Sequence, residues 1–323
     1  MEEFSMPGNA QAESLLLEAI EIDPENARAW AELARLRWRV LGTGASARDD
    51  VQAIRDAINR SISIDPDDPS ALAYLAASVG DFDGDIQQAA QIYQRAIALN
   101  PADEHLVRAG IIFLTNHGAA EDAIALGEYG LLRNPVCHLC ADNLVYAYFR
   151  GQRYTEAEAL ARSIVALHDR GYWLVGQAML LQGRAQEALD WFEDMPHGAA
   201  RNANMAMAMF DLARHAESER LLESFPDAES PEMLQGIHVW AYAWTRRYDA
   251  AFSAFESMFE YRQKYGGETI LRRKAWQMSR IAASPWMVRL HDDPRWPSLA
   301  TKLGVSDEQR AALDFELTLP AAW

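Results

Sequence analysis

Two cysteines form the motif of this sequence that could carry covalent chemistry. In Cys137-His-Leu-Cys140 the thiols are three residues apart, and at the start of a helix this spacing brings them close enough for a disulfide. A helix N-terminus also favours the reactive thiolate form of a cysteine. The pair is therefore compatible with a redox-responsive site.

Other chemistry fits this pair less well. A thioredoxin-like site needs a strand–helix context, whereas this chain has a helical pattern, and haem attachment needs a histidine where Ala141 stands. A structural zinc needs two further ligands, and the remaining histidines have no paired spacing. The simplest interpretation of Cys137 and Cys140 is two small packing residues at a helix start, with redox or metal chemistry as the alternatives. No metal or cofactor is predicted.

Paired acidic residues do not indicate an active site. Asp67-Asp68 and Asp292-Asp293 fall in predicted turns, where acidic side chains cap helices or face solvent. Serine and histidine residues are scattered through the sequence without a nucleophile motif. The sequence therefore predicts that the protein is not an enzyme.

A recurring pattern of small and large residues positions these candidates. The stretches Ala12-x3-Leu16-x2-Ala19-x4-Pro24 and Ala89-x3-Tyr93-x2-Ala96-x4-Pro101 match in register. Small residues let two helices approach closely, and proline sets the turn into the next unit. The pattern predicts about seven or eight stacked helix–turn–helix repeats. Its leading position recurs at spacings of 42, 35, 34, 34, 31, 30 and 33 residues, at Ala12, Ile54, Ala89, Ala123, Ala157, Ala188, Ser218 and Ala251.

The period and the order of residue types resemble the tetratricopeptide repeat (TPR). The resemblance implies an all-α, right-handed α-solenoid of TPR-like helix–turn–helix repeats with a helical C-terminal cap. We expect the solenoid over residues 11–265 and the cap over residues 266–323, where the period ends. Within the predicted cap, Ser306-Asp-Glu-Gln309 has the pattern of a capping box that opens a short helix.

The first repeat is incomplete. Residues 11–22 supply a second helix, but the ten residues before it are too few for a first helix. We expect either truncation of a longer protein, which is favoured, or an unconventional packing of this helix. Its uncovered apolar face predicts a concentration-dependent homodimer through the N-terminal half-repeat.

The repeat register also predicts which side chains line the concave surface of the solenoid. Large apolar anchors along such a surface suit an extended or helical peptide, whereas the alternative is that the same positions pack between helices as core. Asn143 and Asn204 occupy equivalent positions, which grip a peptide backbone or carboxylate in some TPR proteins, although the basic partners of that arrangement are not evident. The candidate peptide-binding residues are Asp142, Asn143, Tyr146, Phe149, Trp173, Gln177, Asn204, Met207, Phe210, Trp240 and Trp244.

Composition disfavours several classes of partner. The 323 residues include 30 basic and 47 acidic ones, and a net charge of −17 argues against nucleic acid and anionic membrane surfaces. The sequence has neither the ~18–20 consecutive apolar residues that span a bilayer nor the apolar segment of a signal peptide. We expect a cytoplasmic protein without membrane insertion, or a periplasmic one if the chain belongs to a longer membrane-anchored parent.

Three further stretches are Ala71-Leu-Ala-Tyr-Leu-Ala, Phe82-Asp-Gly-Asp85 and Leu290-x2-Asp293-Pro-Arg295-Trp296. With them, the chain over about residues 11–305 resembles long TPR regions that follow winged-helix DNA-binding, class III adenylate cyclase or Ser/Thr kinase domains in bacteria. The resemblance implies a regulatory module attached to an effector, but this sequence has no Gly-rich phosphate loop, kinase loop or basic recognition helix. We therefore predict a non-catalytic protein- or peptide-binding scaffold, with a redox-responsive protein as the alternative.

Overall fold

The computed structural model describes residues 6–41, 48–168, 171–225, 236–265, 278 and 280–320. These residues are helical apart from turns and a non-helical stretch near the C-terminus, and none of them forms a β-strand. A π-helical turn, Val79–Asp83, extends one helix, and a 3-10 helix spans Pro285–Asp292. The α-helices are α1 (Met6–Ile22), α2 (Ala27–Leu41), α3 (Arg48–Ile64), α4 (Pro69–Ser78), α5 (Ile86–Leu99), α6 (Glu104–Asn116), α7 (Ala120–Arg133), α8 (His138–Arg150), α9 (Tyr154–His168), α10 (Tyr172–Leu181), α11 (Ala185–Glu193), α12 (Ala199–Asp211), α13 (His215–Leu222), α14 (Ile237–Trp244), α15 (Tyr248–Tyr265), α16 (Trp296–Lys302) and α17 (Asp307–Ala311).

Helices α2 to α15 form seven helix–turn–helix repeats, and α1 precedes them as a single helix. We call the first helix of each repeat helix A and the second helix B. The residue that leads the sequence pattern lies on helix B, and except at Ile54 it is small, which lets the neighbouring helices approach. Its burial confirms the predicted repeat register. The buried residues at this position are Ile54, Ala89, Ala123, Ala157, Ala188, Ser218 and Ala251.

Proline turns join the early repeats through a shared set of side-chain hydrogen bonds. Before Pro66, the Asp65 Oδ1 atom accepts a hydrogen bond of 3.1 Å from the Asp67 amide. Asp68 then caps α4, because its carboxylate accepts from the amides of Ser70 and Ala71. The same four-residue pattern begins at Asp23, Asn100 and Asn134, so its fourth position predicts the helix caps Asn26, Asp103 and Cys137.

The chain divides into two compact units. The first unit contains described residues 6–41, 48–110 and 314–320. Its residues Leu33, Ile54 and Phe82 belong to one apolar core. The side chain of Gln87 on α5 forms two hydrogen bonds with the backbone of Asp314. Its Nε2 donates to the Asp314 carbonyl at 3.0 Å, and its Oε1 accepts from the Asp314 amide at 3.1 Å. This unit therefore holds a stretch of non-helical chain by its backbone.

The second unit contains described residues 111–168, 171–225, 236–265, 278 and 280–313. Its largest apolar cluster joins Phe255 and Met258 of α15 to Met287, Leu290 and Leu299 near the C-terminus. The residues after the last repeat thus cover its apolar face, as predicted for a helical cap. The Ser306–Gln309 capping box is present at the start of α17, whereas the predicted boundary of the cap at residue 266 lies outside the described residues.

Candidate functional site

Trp286 lies between two of the predicted peptide-binding residues. Its side chain is 0% exposed. The indole stacks on Trp240 of α14 with ring centroids 5.1 Å apart, and meets Phe149 of α8 edge-on, also at 5.1 Å. Both partners are on A helices, and they belong to different repeats. The C-terminal segment, by which we mean residues 280–313, therefore lies against the helix-A surface of the second unit.

Arg289 makes a second contact with this surface. Its guanidinium carbon lies 4.0 Å from the ring centroid of Trp244 and 5.8 Å from that of Phe210. The same guanidinium forms an ion pair of 2.8 Å with Asp211 and donates at 2.8 Å to the Trp244 carbonyl. The Trp244 indole N–H in turn donates to Asp211 at 3.1 Å. A cation over an aromatic face and a charge-assisted hydrogen bond reinforce each other here.

Arg280 completes the contact at Tyr146. Its guanidinium lies 4.8 Å from the tyrosine ring centroid, and that ring meets Phe149 edge-on at 6.0 Å. The structure thus brings five predicted residues onto one surface and covers them with the C-terminal segment of the same chain. These five are Tyr146, Phe149, Phe210, Trp240 and Trp244.

The other predicted peptide-binding residues take no part in the ring contacts and ion pairs with the C-terminal segment that are described above. Trp173 is 40% exposed on α10. Gln177 and Met207 are fully buried, and Gln177 donates to the Asn204 side chain at 2.9 Å. Asp142 is half-buried on α8. Gln177, Asn204 and Met207 therefore occupy the core, which was the alternative considered for these positions.

Asn143 and Asn204 make the same intrahelical hydrogen bond, although Asn143 is half-buried and Asn204 is fully buried. The Asn143 side-chain amide donates to the carbonyl of Leu139 at 2.7 Å, and that of Asn204 donates to the carbonyl of Ala200 at 2.9 Å. Each bond runs to the residue four positions earlier in the same helix. The amide groups are thus engaged within their own helices.

Cys137 and Cys140 are joined by a disulfide at the start of α8. The side chains are buried, as packing residues at a helix start would be, and they are linked to each other. The first turn of the helix brings their Cα atoms within 5.3 Å, which is within the range for a disulfide. Cys137 is also the N-cap of α8, because its sulfur accepts from the Cys140 amide at 3.2 Å. No group of three or more potential metal ligands occurs among the described residues.

A small cleft remains beside Trp286. It measures about 30 Å³, room for about two water molecules, and is partly open to solvent. Burial and the nearby charge of Arg310 lower the pKa of its Arg150 guanidinium to about 9. Burial, together with Arg150 and Arg310, lowers the pKa of neighbouring His117 to about 4. The cleft is lined by Thr115, Asn116, Tyr146, Phe149, Arg150, Trp240, Arg280, Ser284, Pro285 and Trp286.

Comparison with solved structures identifies the fold. A tetratricopeptide repeat protein from Parabacteroides merdae aligns with a TM-score of 0.52 at 16% identity, covering 77% of this chain and 98% of its own. This chain has the tetratricopeptide-repeat fold. PilW, a widely conserved type IV pilus biogenesis factor, aligns with a TM-score of 0.52 at 14% identity, covering 64% of this chain and 96% of its own.

Sequence comparisons add nothing to this result. No protein-family model matches the chain, and no curated protein matches it.

Within the described parts of the TPR chain, no helix combines the length and apolar character needed to cross a membrane.

Sequence reasoning missed Trp286 and Arg289, which occupy the helix-A surface, and Asp211, which forms the ion pair with Arg289. The spacing of Trp286 and Arg289 after Pro285 could have indicated them. Proline favours the start of a helix, and a 3-10 helix has three residues per turn, so residues 286 and 289 share one face. The sequence also held a signal for the cap. Cys137 is the fourth residue of a proline turn, the position at which Asp68 caps α4.

Proposed function

We propose that this TPR protein is a non-catalytic protein-binding module. In this proposal, the helix-A surface of its second unit binds a segment that carries an aromatic anchor followed by an arginine. The observation that carries the proposal is the seating of Trp286 and Arg289 on that surface. Buried tryptophan and arginine side chains dominate the energetics of many protein interfaces. The C-terminal segment therefore acts as an intramolecular ligand, and a partner with the same residue pattern would compete with it.

The charge of the surface supports a partner with a basic group. Asp211 accepts from both Arg289 and the Trp244 indole, so its carboxylate is placed to receive a guanidinium or ammonium group. The net charge of −17 would speed the approach of a basic partner. We propose that binding is regulatory, since a partner gains access only when the C-terminal segment leaves.

A second contact, in the first unit, supports the binding of extended chains. Gln87 pairs with both the carbonyl and the amide of Asp314, and Gln94 donates to the Glu316 carbonyl at 3.1 Å. Because these bonds go to backbone atoms, they do not depend on which side chains the bound chain carries. In this proposal, the glutamines of α5 hold the backbone of an extended chain on the first unit, whatever its side chains.

The test uses a labelled peptide with the sequence of residues 284–292, Ser-Pro-Trp-Met-Val-Arg-Leu-His-Asp. We expect the native chain to bind it weakly, because its own segment competes. The Trp286→Ala/Arg289→Ala variant, in which the segment is weakened, should bind at least about tenfold more tightly in a fluorescence anisotropy titration.

Two controls make this titration decisive. A peptide with alanine in place of its tryptophan should lose binding, and Trp173→Ala in the chain should change nothing. If the double variant retains its helical circular dichroism spectrum and still does not bind, the helix-A surface is not a peptide site. Asp211→Asn in the double-variant background should weaken the peptide without unfolding the chain, because it removes only the charge that receives arginine.

A redox-responsive role is the second candidate, favoured by the Cys137–Cys140 disulfide. Reduction would leave two buried thiols at the start of α8, the helix that carries Tyr146 and Phe149. Alkylation of the reduced protein should add two groups by mass spectrometry, whereas protein that is reoxidised before alkylation should add none. If reduction leaves peptide binding unchanged, the disulfide serves stability rather than a switch.

We also propose that the protein works in an oxidising compartment, which corresponds to the periplasmic alternative. Disulfides persist in such compartments and are rare in the cytosol, and this supports the proposal. Trapping free thiols in intact cells with a maleimide reagent tests it. Complete protection of both cysteines is expected, whereas labelling of both would place the chain in a reducing compartment.

A further inference from the structure

The cleft beside Trp286 presents several hydrogen-bonding atoms that nothing in the described structure satisfies. The atoms are Thr115 Oγ1, Asn116 Nδ2, Ser284 Oγ and Trp286 Nε1. Each belongs to a side chain that is more than nine-tenths buried, and all four side chains line the same cleft. Folded proteins leave few buried polar atoms without a partner. Four of them around one cleft make it suited to a polar group.

The chemistry of these atoms selects the kind of ligand. An amide nitrogen and an indole nitrogen only donate hydrogen bonds, and a hydroxyl can donate one. The bound group must therefore be rich in acceptors.

Charge points in the same direction. Arg150 and Arg280 line the cleft, and neither forms an ion pair with any carboxylate that the structure describes. Burying a guanidinium without a counter-charge is costly, so an anion in the cleft would offset that cost. The two arginines lie on different parts of the chain, since Arg150 ends α8 and Arg280 precedes the 3-10 helix.

We propose that this cleft binds the carboxylate group of a ligand with a short apolar remainder. Two oxygens of a planar carboxylate fit the room for about two waters better than the larger tetrahedral phosphate group does. The rings of Tyr146, Phe149 and Trp240 and the ring of Pro285 supply the apolar walls. The site needs no protein partner. It shares Tyr146, Phe149 and Trp240 with the proposed peptide surface, but it forms only while Ser284, Pro285 and Trp286 of the C-terminal segment are in place.

The first experiment titrates the full chain with propionate and follows saturation-transfer NMR and tryptophan fluorescence. We expect saturable binding with a dissociation constant in the millimolar range, which suits so small a ligand. Propionamide, which has the same shape without the charge, should not bind. Sodium chloride at equal ionic strength should leave the fluorescence unchanged. An equal response to chloride would overturn a shaped carboxylate site.

Variants then assign the binding to the cleft. Arg150→Gln should weaken propionate about tenfold or more, because it removes a charged donor. Thr115→Val, which keeps the shape of the side chain, should weaken binding severalfold and serves if Arg150→Gln fails to fold. Arg133→Gln on the neighbouring helix α7 makes the same charge change away from the cleft and should leave affinity unchanged. Equal affinity in all three variants would place propionate elsewhere and overturn the proposal.

A last arm separates two sources of the carboxylate. A dipeptide with a free C-terminal carboxylate is compared with the same dipeptide amidated at that end. If only propionate binds, the natural ligand is a free small acid. If only the free dipeptide binds, the natural ligand is the C-terminus of a peptide chain. Either result supports the site. Failure of both probes to bind would overturn the proposal, and the peptide titration of the helix-A surface would be unaffected.

Discussion

The indole of Trp286 stacks on that of Trp240, with ring centroids 5.1 Å apart and ring planes inclined by 27°. Trp240 also donates from its indole nitrogen to the Ile281 carbonyl at 3.2 Å. Two residues 46 positions apart thus tie the C-terminal segment to the last repeat by a ring contact and a hydrogen bond. This relationship seats the segment on the last repeat, and its consequences can be measured.

Trp286→Ala should destabilise the second unit strongly. The substitution empties a fully buried site, and large-to-small changes of this kind cost about 3–5 kcal/mol. Trp173→Ala is the matched control, because that indole is 40% exposed and should cost less than about half as much. Urea unfolding followed by circular dichroism gives both values. Equal losses for the two variants would contradict the placement of Trp286.

Arg289 and Asp211 should be energetically coupled. Their ion pair is partly buried and is shared with the Trp244 indole, so the two single alanine variants should not be additive. A double-mutant cycle on urea unfolding should give a coupling free energy of about 1–2 kcal/mol. The exposed pair of Arg95 and Asp67 supplies a comparison, with expected coupling below about 1 kcal/mol. Additivity at the first pair would remove the proposed role of Asp211.

The capping role of Cys137 can be separated from the disulfide. Both Cys137→Ser/Cys140→Ala and Cys137→Ala/Cys140→Ala lose the bond, but only serine keeps an acceptor for the amide at position 140. We expect the serine variant to be more stable by about 1 kcal/mol in thermal unfolding, the usual value of an N-cap. Asp68→Ala, at the equivalent position before α4, should cost a similar amount. Identical midpoints for the two cysteine variants would show that the sulfur does not cap the helix.

Stability should fall on mild acidification because of His117. Burial, with Arg150 and Arg310 nearby, lowers the pKa of His117 to about 4, whereas an unfolded histidine titrates near about 6.5. The unfolded state therefore binds more protons between these two pH values, so acidification through this window favours unfolding. The loss at pH 4 should be at most about 3 kcal/mol. His117→Gln should remove this component of the pH dependence in urea unfolding, and His215→Gln, at an exposed position, should retain it.

Helix α1 should support self-association. Leu15 and Ile22 are 58% and 79% exposed, and they lie seven residues apart, on one face of the helix. Light scattering at rising concentration should show a dimer, and Leu15→Lys/Ile22→Lys should abolish it. Leu132→Lys on α7, where the leucine is 63% exposed, is the matched control and should leave the dimer intact. A monomeric mass of the native chain at every concentration would disprove the predicted dimer.

The sequence by itself determined the repeat architecture. Positions such as Ala89 and Ala157 must be small wherever two helices cross closely, so their spacing records the stacking of repeats directly. The proline turns are equally local, since Asp65 and Asp68 satisfy amides within three residues of themselves. Regularities of this kind need no knowledge of distant contacts. The repeat register also placed Tyr146, Phe149 and Trp240 on a common surface.

Only the tertiary structure decided what lies on that surface. Trp286 and Arg289 follow the last repeat, outside its period, and their partners are Phe149, Asp211 and Trp240. The pairing depends on where the C-terminal segment packs, which is set by the fit of one indole among residues up to 137 positions away. Likewise, the cleft exists only because side chains from α6, α8, α14 and the segment meet there. Local patterns fix helices and their turns, whereas a site assembled from distant residues appears only when the chain is folded.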